Sequence, residues 1–294
     1  MNYSKIRIAI LGSTGQLGSD IVEVFSKEEK FEIIPLSHRD LDVTSKESVK
    51  KLEELKPDII INATGYTNVD KAEIEINEAF KVNSYGALYI AKVSSKIDAI
   101  NIYISTDFVF DGNKNFPYVE EDIPNPINVY GASKYLGEIF TRNYSKRYYI
   151  IRVASLFGKN SSRQKGNFID KIIEKAKNNE EIKVVDDIIM SPTYTKDVAN
   201  VLKEFIKIQP EFGIYHIVNE GYCSWYELAK EVFKNLNINA KLYPIKSEEL
   251  NLIAKRPKFS ALENKNIKKL GLKMPDWKNA VYRYLKEKYN YLIK

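Results

Sequence analysis

Tyr130-Gly131-Ala132-Ser133-Lys134 sets a phenol and an ammonium four residues apart, on one face if the segment is helical. A nearby cation favours phenolate, so Lys134 would make Tyr130 a better proton donor near neutral pH, which is the work of a general acid. Three further pairs share the spacing: Tyr226 with Lys230, Tyr282 with Lys286, and Tyr284 with Lys288. Position separates them. Tyr130 follows an apolar run that ends at Ser105-Thr106-Asp107, where a hydroxyl and a carboxylate would emerge at the ligand-binding edge of a sheet. Thr106 could hydrogen-bond a substrate carbonyl while Tyr130 protonates its oxygen. The alternative is that Thr106 and Asp107 only close a turn or cap a helix.

Gly12, Gly15 and Gly18 supply the second chemical element. They lie between an apolar run, 6–11, and an amphipathic segment, 21–25. Glycines there let the backbone turn tightly, approach a pyrophosphate and aim the N–H groups of the following helix at it. A dinucleotide, NADPH or NADH, is the expected cofactor, although a tight strand-to-helix turn can need glycines without a ligand. Ser37-His38-Arg39-Asp40, after the next apolar run, offers Arg39 to a 2′-phosphate and Asp40 to ribose hydroxyls. The pair favours NADPH and leaves NADH open, and a plain polar loop is the competing reading. Asn62-Ala63-Thr64-Gly65 has small side chains that would let a cofactor lie close to the backbone; the competing reading is a simple turn in which Asn62 bonds locally.

These residues need a scaffold of strands that end at one edge. Apolar, β-branched runs at 6–11, 31–36, 58–63, 101–105 and 148–153 alternate with helical patterns, notably 46–55, 78–94 and 133–142. Such alternation implies an α/β fold of Rossmann type, a doubly wound parallel sheet, with ligands at the carboxyl ends of its strands. Beyond Gly158 the pattern is less regular, with helices at 168–177, 225–236, near Asn266 and at 277–289, and a strand at 213–218. We read 1–155 as the dinucleotide-binding domain, with 186–223 returning to it. A smaller C-terminal substrate lobe takes 156–185 and 224–275, and 276–294 form a C-terminal helix.

With 294 residues the chain can bury a substantial core. Its single cysteine, Cys223, excludes an internal disulfide, and its N-terminus lacks the apolar stretch of a signal peptide, so a cytoplasmic location is expected. No apolar run approaches the roughly 20 residues of a membrane span. The net charge of +6 comes from lysines interspersed with glutamates rather than a basic patch. Nucleic acid and membrane are therefore not expected partners, whereas an anionic small molecule is. His38 and His216 lack a matching cluster of cysteine or carboxylate ligands, and no metal is assigned.

With these motifs in place, the chain resembles the extended short-chain dehydrogenase/reductases, and most closely the dTDP-4-dehydrorhamnose reductase family. The likeness runs nearly end to end through 62–73, 105–112, 130–138, Ser191-Pro192-Thr193, 213–219, Ser224-Trp225-Tyr226 and Arg256-Pro257. It implies cofactor contacts from Gly15, Gln16, Leu17, Asp42, Val43, Gly65, Tyr66, Thr67, Tyr130 and Lys134. It implies substrate contacts at Thr106 and Asp107, and places Ser155 and Arg256 in the substrate site. The implied reaction is hydride delivery to C4 of a dTDP-linked 4-keto-6-deoxy sugar, with Tyr130 giving the proton and Lys134 also holding the nicotinamide ribose.

Three departures from the family pattern stand out. Ser155 occupies a position where the family often has a tryptophan against the sugar, and Ile188 one where a glutamine is common. Asp20 matches an acid that in some members helps hold a metal between subunits, but Lys196 replaces another such acid. A homodimer therefore stays open and the metal is not carried over. Phe108 stands where dehydratases of the superfamily have an acid, which disfavours that reaction. A non-catalytic binding module, like the regulatory subunit of methionine adenosyltransferase, is the competing function, against which Thr106, Tyr130 and Lys134 stand intact.

Overall fold

The computed structural model describes residues 5–160 and 166–292. Six strands form one parallel sheet: β1 (Ile6–Leu11), β2 (Phe31–Leu36), β3 (Ile59–Asn62), β4 (Ile100–Thr106), β5 (Tyr148–Val153) and β6 (Gly213–His216). Their spatial order is β2-β1-β3-β4-β5-β6. The chain reverses its direction of travel across the sheet between β1 and β3, which opens a crevice at their carboxyl ends.

Alternation along the strands assigns side chains to two faces. Ile8, Ile10, Ile59, Ile61 and Ile102 pack on one face against α1 (Gln16–Phe25) and α5 (Thr195–Ile208). Ala9, Leu11, Ile60 and Leu36 pack on the other against Val49, Leu52 and Ile90, the last on α2 (Gly86–Lys96). Burial on both faces explains why these strands read as continuous apolar runs. Helix α3 (Val129–Tyr144) also lies on the α2 side, beside β4.

A second core joins α4 (Phe168–Lys177), α6 (Trp225–Leu236) and α7 (Trp277–Lys288) around Ile169, Leu228, Val232, Trp277 and Tyr284. The final helix is thus an integral layer of this lobe. Asp170 fastens it, accepting the hydroxyls of Tyr284 at 2.5 Å and Tyr289 at 2.6 Å and the Lys288 ammonium at 2.8 Å. Among the described residues no helix is long and apolar enough to cross a membrane.

Two expected helices differ in form. The segment 46–55 is two short helices, Lys46–Val49 and Lys51–Leu55. The segment 78–94 is interrupted by a π-helical turn, Lys81–Tyr85, before α2 begins. Helix α3 starts four residues earlier than its expected 133–142 span, because Asn128 caps it by accepting from Gly131 N at 2.7 Å.

Candidate active site

The turn after β1 has the geometry of a phosphate cradle. Gly12 has φ +76°, a left-handed conformation that favours glycine. A Cβ on Gly18 would lie 2.1 Å from the Gly12 carbonyl oxygen, so only glycine lets α1 approach the turn so closely. Gly15 caps α1 without any side-chain hydrogen bond, leaving the first backbone N–H groups for an anion. Leu17 is buried beneath the turn, and Gln16 reaches across to Leu156 O at 2.9 Å. The residues present therefore fit a dinucleotide.

After β2, Asp40 folds back on its own loop and accepts from Ser37 N at 2.9 Å and Ser37 Oγ at 2.6 Å. These bonds hold its carboxyl below the usual range and tie its Oδ2 to the turn. Arg39 remains exposed beside it. Asp42 likewise accepts from Thr44 N and Oγ1, while Val43 packs beneath Gly86, where an added Cβ would meet its Cγ2 at 3.1 Å.

The loop after β3 lies across the crevice from Gly12: a Cβ on Gly12 would meet the Ala63 carbonyl oxygen at 3.1 Å. Asn62 serves the local turn, accepting Thr64 Oγ1 at 2.6 Å. Gly65, Tyr66 and Thr67 follow. Asn83, in the π-helical turn, accepts from Tyr66 N at 2.8 Å and donates to Tyr66 O at 3.1 Å and Ser133 Oγ at 2.9 Å. It thereby ties the loop after β3 to the helix carrying Tyr130, at the kind of π-turn often found at functional sites.

Helix α3 approaches β4 closely because its facing positions are small. A Cβ on Gly131 would lie 2.1 Å from Phe108 O, and one on Gly137 2.3 Å from the Tyr103 hydroxyl. Lys134 is 3% exposed; its ammonium donates to Ile104 O at 2.5 Å and sits 4.1 Å from the Tyr103 ring centre. Burial pushes the Lys134 ammonium down to about 7, with Glu138 acting in the opposite direction. The Tyr130 ring meets that of Phe108 edge-on at 5.7 Å. The other three Tyr/Lys pairs lie on α6 and α7.

At the end of β4, Thr106 Oγ1 accepts from Phe108 N at 3.2 Å and donates to Asp107 Oδ1 at 3.0 Å. The capping role is thus present, at a strand end where Thr106 itself is buried. Asp107 is buried, and burial lifts its carboxyl to about 6 despite the hydroxyls donating to it.

Of the two expected substrate residues farther along, Ser155 follows β5 with φ +41°. This left-handed conformation costs an L-residue about 1–2 kcal/mol, and such strain gathers at functional sites. Ser155→Gly should therefore stabilise the fold by about 0.5–1 kcal/mol after glycine's added unfolded-state freedom is counted, as read by urea denaturation; a destabilised variant would contradict this. Arg256 is differently engaged: Nη1 and Nη2 each lie 2.6 Å from an Asp70 oxygen. Asp70 also accepts from Ile253 N and Ala254 N, each at 3.1 Å, and the guanidinium clasps the segment to the dinucleotide domain.

On the outer side of α1, Lys196 lies 2.7 Å from Glu287 Oε1 and 3.4 Å from Glu23 Oε1. Asp20 accepts the Thr195 hydroxyl at 2.5 Å. His216 is wholly buried, its Nδ1 3.0 Å from the Glu263 carbonyl. Burial, then Arg152, pushes its pKa well down, so the ring is neutral.

Comparison with known proteins places this geometry. The chain is 34% identical over 283 residues to the spore coat polysaccharide biosynthesis protein SpsK of Bacillus subtilis, covering 96% of this chain and 98% of that one. It is 34% identical over 288 residues to dTDP-4-dehydrorhamnose reductase of Aggregatibacter actinomycetemcomitans, covering 94% and 97%. The crystal structure of dTDP-4-dehydrorhamnose reductase from Bacillus anthracis, in complex with NADP, superposes with a TM-score of 0.90 at 38% identity, covering 96% and 99%. The family model described as the RmlD substrate binding domain matches residues 6–290, and the chain belongs to that family.

Proposed function

We propose that this protein reduces the C4 keto group of dTDP-4-dehydro-L-rhamnose to dTDP-L-rhamnose, with NADPH as the preferred reductant. The observation that carries the reading is Lys134 buried against β4, one helical turn from Tyr130, at the same sheet edge as the glycine cradle. The family relatives named for this reaction, one of them holding NADP, support it. Arg39, exposed while Asp40 is committed to its turn, favours the 2′-phosphate of NADPH.

A nicotinamide dinucleotide held by the glycine turn would supply a hydride, a proton with two electrons, to the sugar carbonyl carbon. Tyr130 transfers its phenolic proton to the carbonyl oxygen as the alcohol forms. The Lys134 ammonium lowers the cost of the resulting phenolate, and Ile104 O and the Tyr103 ring hold that ammonium in place. Thr106, Asp107 and Ser155 are assigned to the sugar side. Gly12, Gly15 and Gly18 admit the pyrophosphate, and Ala63, Gly65, Tyr66 and Thr67 the rest of the cofactor. The protein would act in the cytoplasm, where NADPH is supplied. Pairing of two copies is also part of the proposal, supported by a ring stripe in which exposed Tyr85 and Tyr144 flank half-buried Phe140; sedimentation should give twice the 33.9 kDa chain mass.

The direct test follows NADPH and NADH oxidation by absorbance with dTDP-4-dehydro-L-rhamnose, with identification of the product. Conversion to dTDP-L-rhamnose is expected; cofactor binding without turnover would overturn the reading. The same assay yields a pH dependence. Lys134 loses its proton as pH rises through about 7, and with it the charge that favours phenolate. The reduction rate should therefore fall above that pH, by up to about tenfold per unit. A flat profile from about pH 6 to about pH 9 would separate Lys134 titration from catalysis.

A further inference from the structure

We propose that Ser260, contributed by the C-terminal segment, is a positioning residue for the reducing site: its hydroxyl fixes the Asp107 carboxylate, and through it the orientation of the Thr106 hydroxyl. The inference rests on the reaction proposed above and goes one residue layer beyond it. Ser260 is 1% exposed and donates to Asp107 Oδ2 at 2.6 Å. The other carboxylate oxygen, Oδ1, receives the Thr106 hydroxyl at 3.0 Å. A carboxylate only accepts, and a hydroxyl has one proton. With that proton on Asp107 and one lone pair taken by Phe108 N, Thr106 meets the sugar as a hydrogen-bond acceptor.

Ser260 sits on a backbone held from both sides. Ser260 N donates to Ile189 O at 2.9 Å, Ile189 N to Lys258 O at 2.8 Å, and Tyr118 N to Ala261 O at 2.8 Å. These bonds do not involve the side chain, so removing the hydroxyl leaves the segment in place. The same segment meets the cap of the catalytic helix, where Asn128 Nδ2 donates to Lys255 O at 2.9 Å, and it carries the Arg256 clasp to Asp70. One stretch of chain from the second lobe thus touches the start of α3, the end of β4 and the helix after the Gly65 loop. Without Ser260, Asp107 Oδ2 loses its side-chain donor, the carboxylate is left to the Thr106 hydroxyl and the backbone N–H groups of Asp107 and Phe108, and the Thr106 proton is less firmly directed.

The test is a kinetic cycle on full-length protein. Ser260→Ala should lower kcat by about tenfold or more, the weight of a hydrogen bond to a charged group. The NADPH dissociation constant should stay within about twofold of wild type, since the bond lies on the sugar side. In a Thr106→Val background, where there is no hydroxyl left to orient, adding Ser260→Ala should cost less than about twofold. Wild-type kcat in Ser260→Ala would overturn the inference, and so would an undiminished loss in the Thr106→Val background. Failure of the wild-type protein itself to reduce the keto sugar would instead overturn the function on which the inference rests.

Discussion

Tyr130→Phe should retain NADPH affinity and lose turnover by about 10²- to 10⁴-fold, the range for removing a positioned general acid. The substitution is clean in this site because the ring has its own packing partner. The edge-on contact with Phe108 at 5.7 Å belongs to the ring rather than to the hydroxyl, and Val129–Tyr144 remains helical with its Asn128 cap intact. The nearby phenol of Tyr103 is already engaged. The Tyr103 hydroxyl donates to Asn83 O at 2.9 Å, and burial, with Glu138 and Tyr130 adding to it, raises its pKa well above the usual phenol value. The check is kcat at saturating NADPH and sugar, with cofactor affinity from nicotinamide fluorescence. A variant that turns over like wild type would remove Tyr130 from the chemistry.

The parts of this architecture that were legible in the sequence are those set by neighbours a few residues away. Ile6–Leu11, Phe31–Leu36 and Tyr148–Val153 have the bounds expected of them; burial on both faces gives β1 its apolar run from Ile8 to Leu11, whereas β2, at the sheet edge, exposes Glu32 and Pro35. Gly12 and Gly18 were legible because a turn and a close helix approach leave no room for a Cβ. The Tyr130/Lys134 pair was legible only with its position after β4, since three other pairs have its spacing.

What was not legible depends on partners far along the chain. Arg256 looks like a free cation in sequence, yet its acid is Asp70, 186 positions earlier. Asn83 reads as an ordinary helix residue, and its function comes from Tyr66, 17 positions before it, and Ser133, 50 after it. The interruption at Lys81–Tyr85 has no signature in hydrophobic periodicity, because a π-turn shifts the register without changing composition. Ser260 is invisible for the same reason: only the return of the second lobe to β4 gives it Asp107.

Glu138→Ala should destabilise the fold by about 3–5 kcal/mol, the cost of breaking a buried ion pair from one side. Glu138 sits one turn beyond Lys134 on α3 and is held from two strands. Ser105 Oγ donates to Oε1 at 2.5 Å, and Arg152 on β5 donates through Nε to Oε1 at 2.9 Å and through Nη2 to Oε2 at 2.8 Å. The two charged side chains are 1% and 3% exposed. Arg152 Nη1 has no hydrogen-bond partner among the described residues, so Glu138 is the guanidinium's one carboxylate contact there. Truncating it leaves a buried cation beside the neutral His216 ring and the Phe110 face at 5.0 Å. Removing both charges is a different matter, because the desolvation cost goes with them. Glu138→Met combined with Arg152→Met should cost less than the sum of the single substitutions, with a coupling of about 1–3 kcal/mol in a urea-denaturation cycle. Additive losses would mean that Glu138 and Arg152 support the fold separately. The large single loss would also loosen Ser105, whose neighbour is Thr106, so the ion pair that anchors α3 to β5 also steadies the strand end that faces the sugar.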